Sequence, residues 1–179
     1  MATRADEIRK FLERGSASYF EAVGAVREFQ KEILKQSTAA LASRLPEVKR
    51  ILGLKGLNPE DIKNHTLLEE DYADLCARLD LDSDHVLFAG LEWRLEADTR
   101  KAHPWAFADL WIRESDKYWA KLPHRCHGYL QRYGNEIYLE DRCLPEEIGK
   151  LRAKLERMLD RWCDIWRKTG GITASRKKA

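Results

Sequence analysis

The chain has 179 residues, of which 44% are hydrophobic and 35% are charged, with 32 Lys/Arg against 30 Asp/Glu. This composition is typical of a folded, water-soluble protein and excludes an intrinsically disordered chain. The net charge of +2 gives no general signature of nucleic-acid binding, and no apolar run is long enough to span a membrane.

The charges are sorted along the chain. Lys/Arg and Asp/Glu number 11 and 7 in residues 1–57, 3 and 12 in residues 58–99, and 18 and 11 in residues 100–179. An acidic centre therefore lies between two basic ends. These segments either neutralise each other across the fold or present opposite faces to partners.

Periodicity predicts helices in the first third of the chain. Residues 5–14 read as a short helix that ends at Gly15. Ser18 and Glu21 form a capping box, and the apolar stripe that follows predicts a long helix. Pro46 predicts the end of this helix near Arg44.

Two further helices are expected before the centre of the chain. One begins at Pro46 and runs to Leu52. The other covers residues 67–79, because Thr66 and Glu69 form a second capping box and apolar residues follow at helical spacing.

The middle of the chain predicts strands. Apolar residues alternate with others over 87–95, and a second alternation covers 105–113. Residues 129–139 contain a Gly134-Asn135 turn and predict a hairpin. Pro145 then opens a final helix with a strong apolar stripe.

These elements indicate an α+β fold in which an N-terminal helical layer packs on a small antiparallel sheet covered by a C-terminal helix. We expect one domain over residues 1–171, followed by a basic tail at 172–179. Within it, residues 1–79 are mainly helical, 80–144 are rich in strands and 145–171 form the last helix. An all-α fold is the alternative, since short apolar runs do not distinguish strand from buried helix.

Three carboxylates on the predicted strands are candidate catalytic residues. Glu92 and Glu96 share one strand face, and Asp109 lies near Glu92 if the two strands pair. Such a set next to arginines resembles, loosely, the divalent-metal site of sheet-based nucleases. The alternative is an ordinary polar row on the solvent face of a half-buried sheet.

Residues 111–133 mix aromatic and cationic side chains, as proteins that bind single-stranded nucleic acid do. The alternative is that the rings belong to the core and the cations coat the surface. The candidate binding residues are Arg113, Lys117, Trp119, Arg125 and Arg132.

Two clusters suggest metal ligands. His124, Cys126 and His127 with Cys143 offer imidazole and thiolate groups for zinc, although the usual paired spacing is absent. Alternating carboxylates at 80, 82 and 84 suit a hard cation, but the loop does not follow the EF-hand pattern. The alternatives are a polar loop with a buried thiol and a solvated connection.

The second half of the chain holds all six Trp residues. Trp162 and Trp166 lie one turn apart on the last helix, so we expect at least one of them to pack on the sheet. If the other is exposed, it marks a partner surface.

The sequence therefore favours a non-catalytic binding module that self-associates, with no cofactor beyond a candidate divalent metal. Contact between residues 58–99 of one copy and 150–179 of another would weaken at high salt. The alternative is a protein that binds nucleic acid or processes it with a metal. We expect a cytoplasmic protein, because four scattered cysteines suit reduced thiols and the N-terminus has no apolar signal segment.

Overall fold

The structure is a computed structural model that describes residues 4–69, 72–95, 102–113, 119–120 and 130–168. It shows the expected α+β fold, with a long N-terminal helix, a six-stranded antiparallel sheet and a C-terminal helix. In chain order the elements are α1 (Arg4–Leu52), β1 (Lys63–Leu68), β2 (Tyr72–Asp80), β3 (His85–Leu95), β4 (Ala102–Ile112), β5 (Gln131–Tyr133), β6 (Glu136–Arg142) and α2 (Leu151–Lys168). Short 3-10 helices at Pro59–Asp61 and Pro145–Lys150 complete them.

All neighbouring strands of the sheet are antiparallel, in the order β1-β2-β3-β4-β6-β5. The strands predicted at 87–95 and 105–113 are confirmed as β3 and β4. The predicted hairpin is confirmed as β5 and β6, and Gly134 takes a positive φ of 54° in its turn. Glycine tolerates that conformation because it has no Cβ.

One face of the sheet forms the core. Leu75, Leu79, Leu87, Leu91 and Leu110 alternate with residues of the opposite face, and all are at least 98% buried. They join the buried side of α2 and residues 33–52 of α1 in one hydrophobic cluster. Residues of the opposite sheet face, such as Asp74, Phe88 and Asp109, do not belong to this cluster.

The predicted last helix is confirmed as a 3-10 turn followed by α2. Its Trp162 and Trp166 are both buried, with ring centroids 5.7 Å apart. Neither tryptophan therefore marks an exposed partner surface.

The predicted end of a helix near Pro46 is wrong, as is the break at Gly15, because α1 continues through both. A glycine costs a helix only about 1 kcal/mol. At Pro46, burial of the flanking Leu45, Val48 and Leu52 in the core offsets the missing N–H bond.

Side-chain pairs also hold this part of α1 against α2. Arg44 donates two hydrogen bonds to Asp160, at 2.6 and 2.9 Å, and Ser43 donates one to Glu156 at 2.9 Å.

The predicted helix over 67–79 is wrong. The segment forms β1 and β2, and the amide of Glu69 donates to the carbonyl of Tyr72 where the two strands meet. The apolar spacing suits a helix, but pairing with β3 along all of β2 outweighs this local preference.

The structure divides into two compact units, Met1–Glu32 and Ile33–Ala179. The described part of the first unit is the N-terminal stretch of α1, and the second contains the sheet and α2. The single domain expected over 1–171 stays a prediction. No helix within the described residues has the length and apolar character needed to cross a lipid bilayer.

Candidate functional site

The face of the sheet opposite the core contains a cavity of about 480 Å³, which we call the hollow. The side chains around it come from all six strands or their ends, so the sheet itself positions them. They are His65, Leu67, Tyr72, Asp74, Phe88, Glu92, Arg94, Phe107, Asp109, Tyr133, Glu136 and Tyr138.

A glycine interrupts the side chains on this face. Gly90 pairs with Cys76 of β2 on one side and with Phe107 of β4 on the other. A Cβ at Gly90 would lie 2.3 Å from the Cβ of Cys76 and 2.4 Å from the carbonyl oxygen of Leu75. Only glycine therefore allows this close approach of β2 and β3.

Four carboxyl groups line the hollow, and all have raised pKa values. Burial is the largest cause in each case. It raises the pKa of Asp74 to about 7 and holds that of Asp109 well above its usual range. The negative charges of Glu92 and Glu136 push both of these values further up.

One of these carboxyl groups has good partners. Glu92 accepts a hydrogen bond from the Tyr72 hydroxyl at 2.9 Å and pairs with the guanidinium of Arg94. Arg94 also reaches Glu140 at 3.0 Å. Arg94 is therefore shared between two carboxylates and holds Glu92 in a fixed position.

Asp74 and Asp109 are partnered much less well. Each is 92% buried, and each has one carboxyl oxygen, Oδ1, that is buried and has no hydrogen-bond partner. The second oxygen of Asp74 lies 3.7 Å from the Cys76 thiol, a weak donor, and 4.0 Å from the His65 ring. Because buried polar atoms in proteins are normally hydrogen-bonded, these two oxygens are unusual features of the hollow.

Rings supply the apolar part of the hollow. The His65 and Phe88 rings meet edge to face with centroids 5.6 Å apart, and the Arg78 guanidinium lies 5.8 Å from the Phe88 centroid. Burial lowers the pKa of His65, which keeps its ring neutral near pH 7. The hollow thus combines aromatic surfaces with acids, a mixture suited to cations and hydrogen-bond donors.

The candidate catalytic residues Glu92 and Asp109 both line the hollow, but they are not opposite each other. Glu92 pairs with Trp105, whereas Asp109 pairs with Phe88. They are four residues out of register, which is about 13 Å along the strands. Glu96 lies outside the described residues, so the catalytic hypothesis stays a prediction.

The predicted nucleic-acid-binding residues do not converge on the hollow where they are described. Arg113 is exposed and pairs with Asp84 at 3.2 Å, Trp119 is half-buried against the core, and Arg132 is exposed on β5. Lys117 and Arg125 lie outside the described residues. This hypothesis stays a prediction, although an acidic hollow would repel phosphate.

The zinc hypothesis also stays a prediction, because His124, Cys126 and His127 lie outside the described residues. Cys143 is buried in the core cluster, and burial raises the pKa of its thiol. Within the described part of the chain, no group of three or more His, Cys, Asp or Glu side chains is arranged to hold a metal ion.

The alternating carboxylates between β2 and β3 bind protein groups. Asp82 accepts hydrogen bonds from the Asp84 amide at 2.8 Å and pairs with His85 at 2.7 Å. Asp80 accepts hydrogen bonds from Arg78 at 2.8 Å and from Lys63 at 3.1 Å. These contacts stabilise the turn between β2 and β3, and the hard-cation hypothesis stays a prediction.

Sequence reasoning missed Asp74, Tyr72 and Glu136 as members of the hollow. The available signal was the alternation of Leu75, Ala77 and Leu79 with polar residues, which is a strand pattern. The helical spacing of Tyr72, Leu75 and Leu79 obscured it.

Comparisons with protein-family models, curated proteins and solved structures each found nothing that matches this chain.

Proposed function

We propose that this protein is a non-catalytic binding module and that its ligand occupies the hollow. One observation carries the proposal: Asp74 and Asp109 each present a buried, unpartnered oxygen in an aromatic-lined cavity of about 480 Å³. That volume lies in the range of small-molecule sites, which are mostly apolar and carry a few placed polar groups.

The stability cost of these acids supports the same view. A buried carboxyl group without partners lowers the free energy of unfolding, and an apolar residue in its place would remove that penalty. Groups that reduce stability in this way are concentrated at binding and catalytic sites.

A fragment titration tests the proposal. Isotope-labelled protein is titrated with a panel of neutral, cationic and anionic aromatic fragments while backbone amide signals are followed. We expect some fragments to shift amides of β2, β3 and β4, and Phe88→Ala to weaken that binding.

Leu144→Ala is the matched control, since Leu144 is an exposed apolar residue that does not line the hollow. It should leave fragment binding unchanged. A panel that shifts no amide around the hollow would overturn the proposal.

We also propose that two copies associate through the first unit, residues 4–32 of α1. Large apolar side chains recur there at intervals of 4, 7, 7 and 3 residues, which is the heptad spacing of a coiled-coil seam. These side chains are between 38% and 65% exposed. A row of large apolar side chains exposed on one face of a helix is unfavourable in water, and contact with a partner would bury it. The residues are Ile8, Leu12, Tyr19, Val26 and Phe29.

Sedimentation velocity of the full chain at about 0.05 M and about 1 M NaCl tests this association. We expect a dimer at both concentrations, because an apolar seam is insensitive to salt. Dissociation at high salt would instead support charge pairing between residues 58–99 and 150–179.

Val26→Glu should abolish the dimer, whereas Ala17→Glu should not. Ala17 is an exposed position of the same helix that lies off the heptad stripe. Equal behaviour of the two variants, or a wild-type monomer, would contradict association through α1.

A further inference from the structure

The described part of the hollow contains more acids than cations. Glu92 and Glu140 share Arg94, whereas Asp74 has only the His65 ring at 4.0 Å, and one oxygen each of Asp74 and Asp109 has no hydrogen-bond partner among the described residues. Burial, and to a lesser extent the mutual repulsion of these groups, raises their pKa values. A positive charge beside Asp74 would satisfy its buried oxygen and reduce the repulsion from the neighbouring acids.

We propose that the hollow binds an organic cation, an ammonium or guanidinium group carried on a flat apolar body. This inference rests on the proposed function and assigns the ligand class for the same site. The positive group would lie at Asp74, and the apolar body against the rings of Phe88, Phe107 and Tyr138.

The aromatic lining favours an organic cation over a metal ion. The guanidinium of Arg78 lies over the Phe88 ring, 5.8 Å from its centroid. This cation–π contact shows that the ring can interact with a positive charge. A metal ion would need several oxygens within about 2–3 Å of one point. The described acids provide no such group of three or more.

Cation binding in the hollow should depend on pH, because a proton on Asp74 removes the negative charge that attracts the cation. Between about pH 5 and pH 8, deprotonation of Asp74 should strengthen cation binding, since its pKa is about 7. Other titratable and charged groups line the hollow or adjoin it on the surrounding strands. They are His65 on β1, Tyr72, Cys76 and Arg78 on β2, Glu92 and Arg94 on β3, Asp109 on β4, Tyr133 on β5, and Glu136 and Tyr138 on β6.

Three probes with one indole body and different end groups test the class. Tryptamine carries an ammonium group, tryptophol a neutral hydroxyl and indole-3-propionate a carboxylate. Near pH 8 we expect calorimetry to show tryptamine binding at least about tenfold more tightly than tryptophol, with no binding of the propionate. Near pH 5 the preference for tryptamine should shrink.

Asp74→Asn should reduce tryptamine affinity about tenfold and leave tryptophol affinity unchanged. Asp164→Asn is the control with the same change of net charge. Its carboxyl is on α2, where it accepts a hydrogen bond from Arg167 outside the hollow. An equal loss in both variants would reduce the effect to long-range electrostatics and overturn the proposal.

A short peptide with one Arg between glycines distinguishes two sources of the cation. Binding tighter than that of tryptamine would place the group on a side chain of a partner protein, and weaker binding would favour a free amine. Both results keep a cation in the hollow. Displacement of tryptamine by millimolar Mg²⁺, but not by equal ionic strength of NaCl, would overturn the organic-cation assignment in favour of a metal.

The failures of this inference and of the proposed function are distinguishable. Equal binding of tryptamine and tryptophol at the hollow would overturn the cation class and leave a ligand-binding module in place. A fragment panel that shifts no amide of β2 to β4 would remove both.

Discussion

The two faces of strands β2 to β4 share one backbone and differ in almost everything else. The core face carries Leu75, Leu87 and Leu91 at full burial against helices. The hollow face carries Asp74 and Asp109, also buried, but among like charges and rings. Burial on the first face stabilises the fold, whereas burial on the second face costs stability.

This contrast separates a face that stabilises the fold from a face that does not. A sheet needs only one apolar face to fold, so the second face is free to carry residues that oppose folding. Truncating a buried apolar side chain of the core face should therefore lower stability, whereas neutralising an unpartnered acid of the hollow face should raise it. Four experiments test this difference and the close packing and hydrogen bonding that hold the hollow face in place.

Leu91→Ala on the core face should have the largest effect. It removes a fully buried side chain and leaves a cavity, so the free energy of unfolding should fall by about 2–5 kcal/mol. Urea denaturation measures the change. Leu68→Ala, at a 60% exposed position, should cost far less, and equal costs would mean that Leu91 is not in a packed core.

Gly90→Ala should destabilise the protein by about 1–3 kcal/mol, because its Cβ would collide with Cys76 and with the backbone of β2. Thermal unfolding measures the shift. The matched change Gly24→Ala, where nothing lies within 4 Å in the middle of α1, should instead stabilise by about 1 kcal/mol. A neutral Gly90→Ala would show that β2 and β3 are not held this close.

Asp74→Asn should stabilise the fold near pH 8 and have little effect near pH 4. Because burial raises the folded-state pKa from 3.8 to about 7, wild-type stability should fall as pH rises between these values. The pKa shift of Asp74 limits the increase in the free energy of unfolding of the variant to about 4 kcal/mol. We expect an increase of about 1–3 kcal/mol.

Urea denaturation across this pH range measures the change, with Asp164→Asn as the surface control. Destabilisation of Asp74→Asn near pH 8 would show that the carboxylate has a partner in the folded protein. That result would break the contrast between the two faces.

Tyr72→Phe should give the smallest effect, a loss of about 1 kcal/mol, because it removes the hydroxyl donor to Glu92. The pKa of Glu92 should also rise further, which carboxyl NMR signals report. Tyr133→Phe, at a side chain that is 77% exposed, should change neither quantity. Equal responses at the two tyrosines would mean that the Tyr72–Glu92 bond does not hold in solution.

The candidate site was only partly visible in the sequence. Glu92 and Asp109 stood out because they interrupt strand-like apolar patterns, and both line the hollow. Asp74 was hidden, since the residues around it have helical spacing and only pairing with β3 shows the segment to be a strand. Glu136 follows the turn of the β5–β6 hairpin, and nothing local indicated that it would meet the other acids.

The sequence by itself determined the α+β class, the strands β3 and β4, the hairpin at Gly134 and the last helix. Those features depend on alternation, helical periodicity and turn residues, which are local properties of the chain. The tertiary structure alone decided that α1 continues through Pro46, that β1 and β2 are strands, and that acids from four strands line one cavity. Strand register and burial arise from contacts between distant residues, and they set both the packing of the core and the raised pKa values of the hollow.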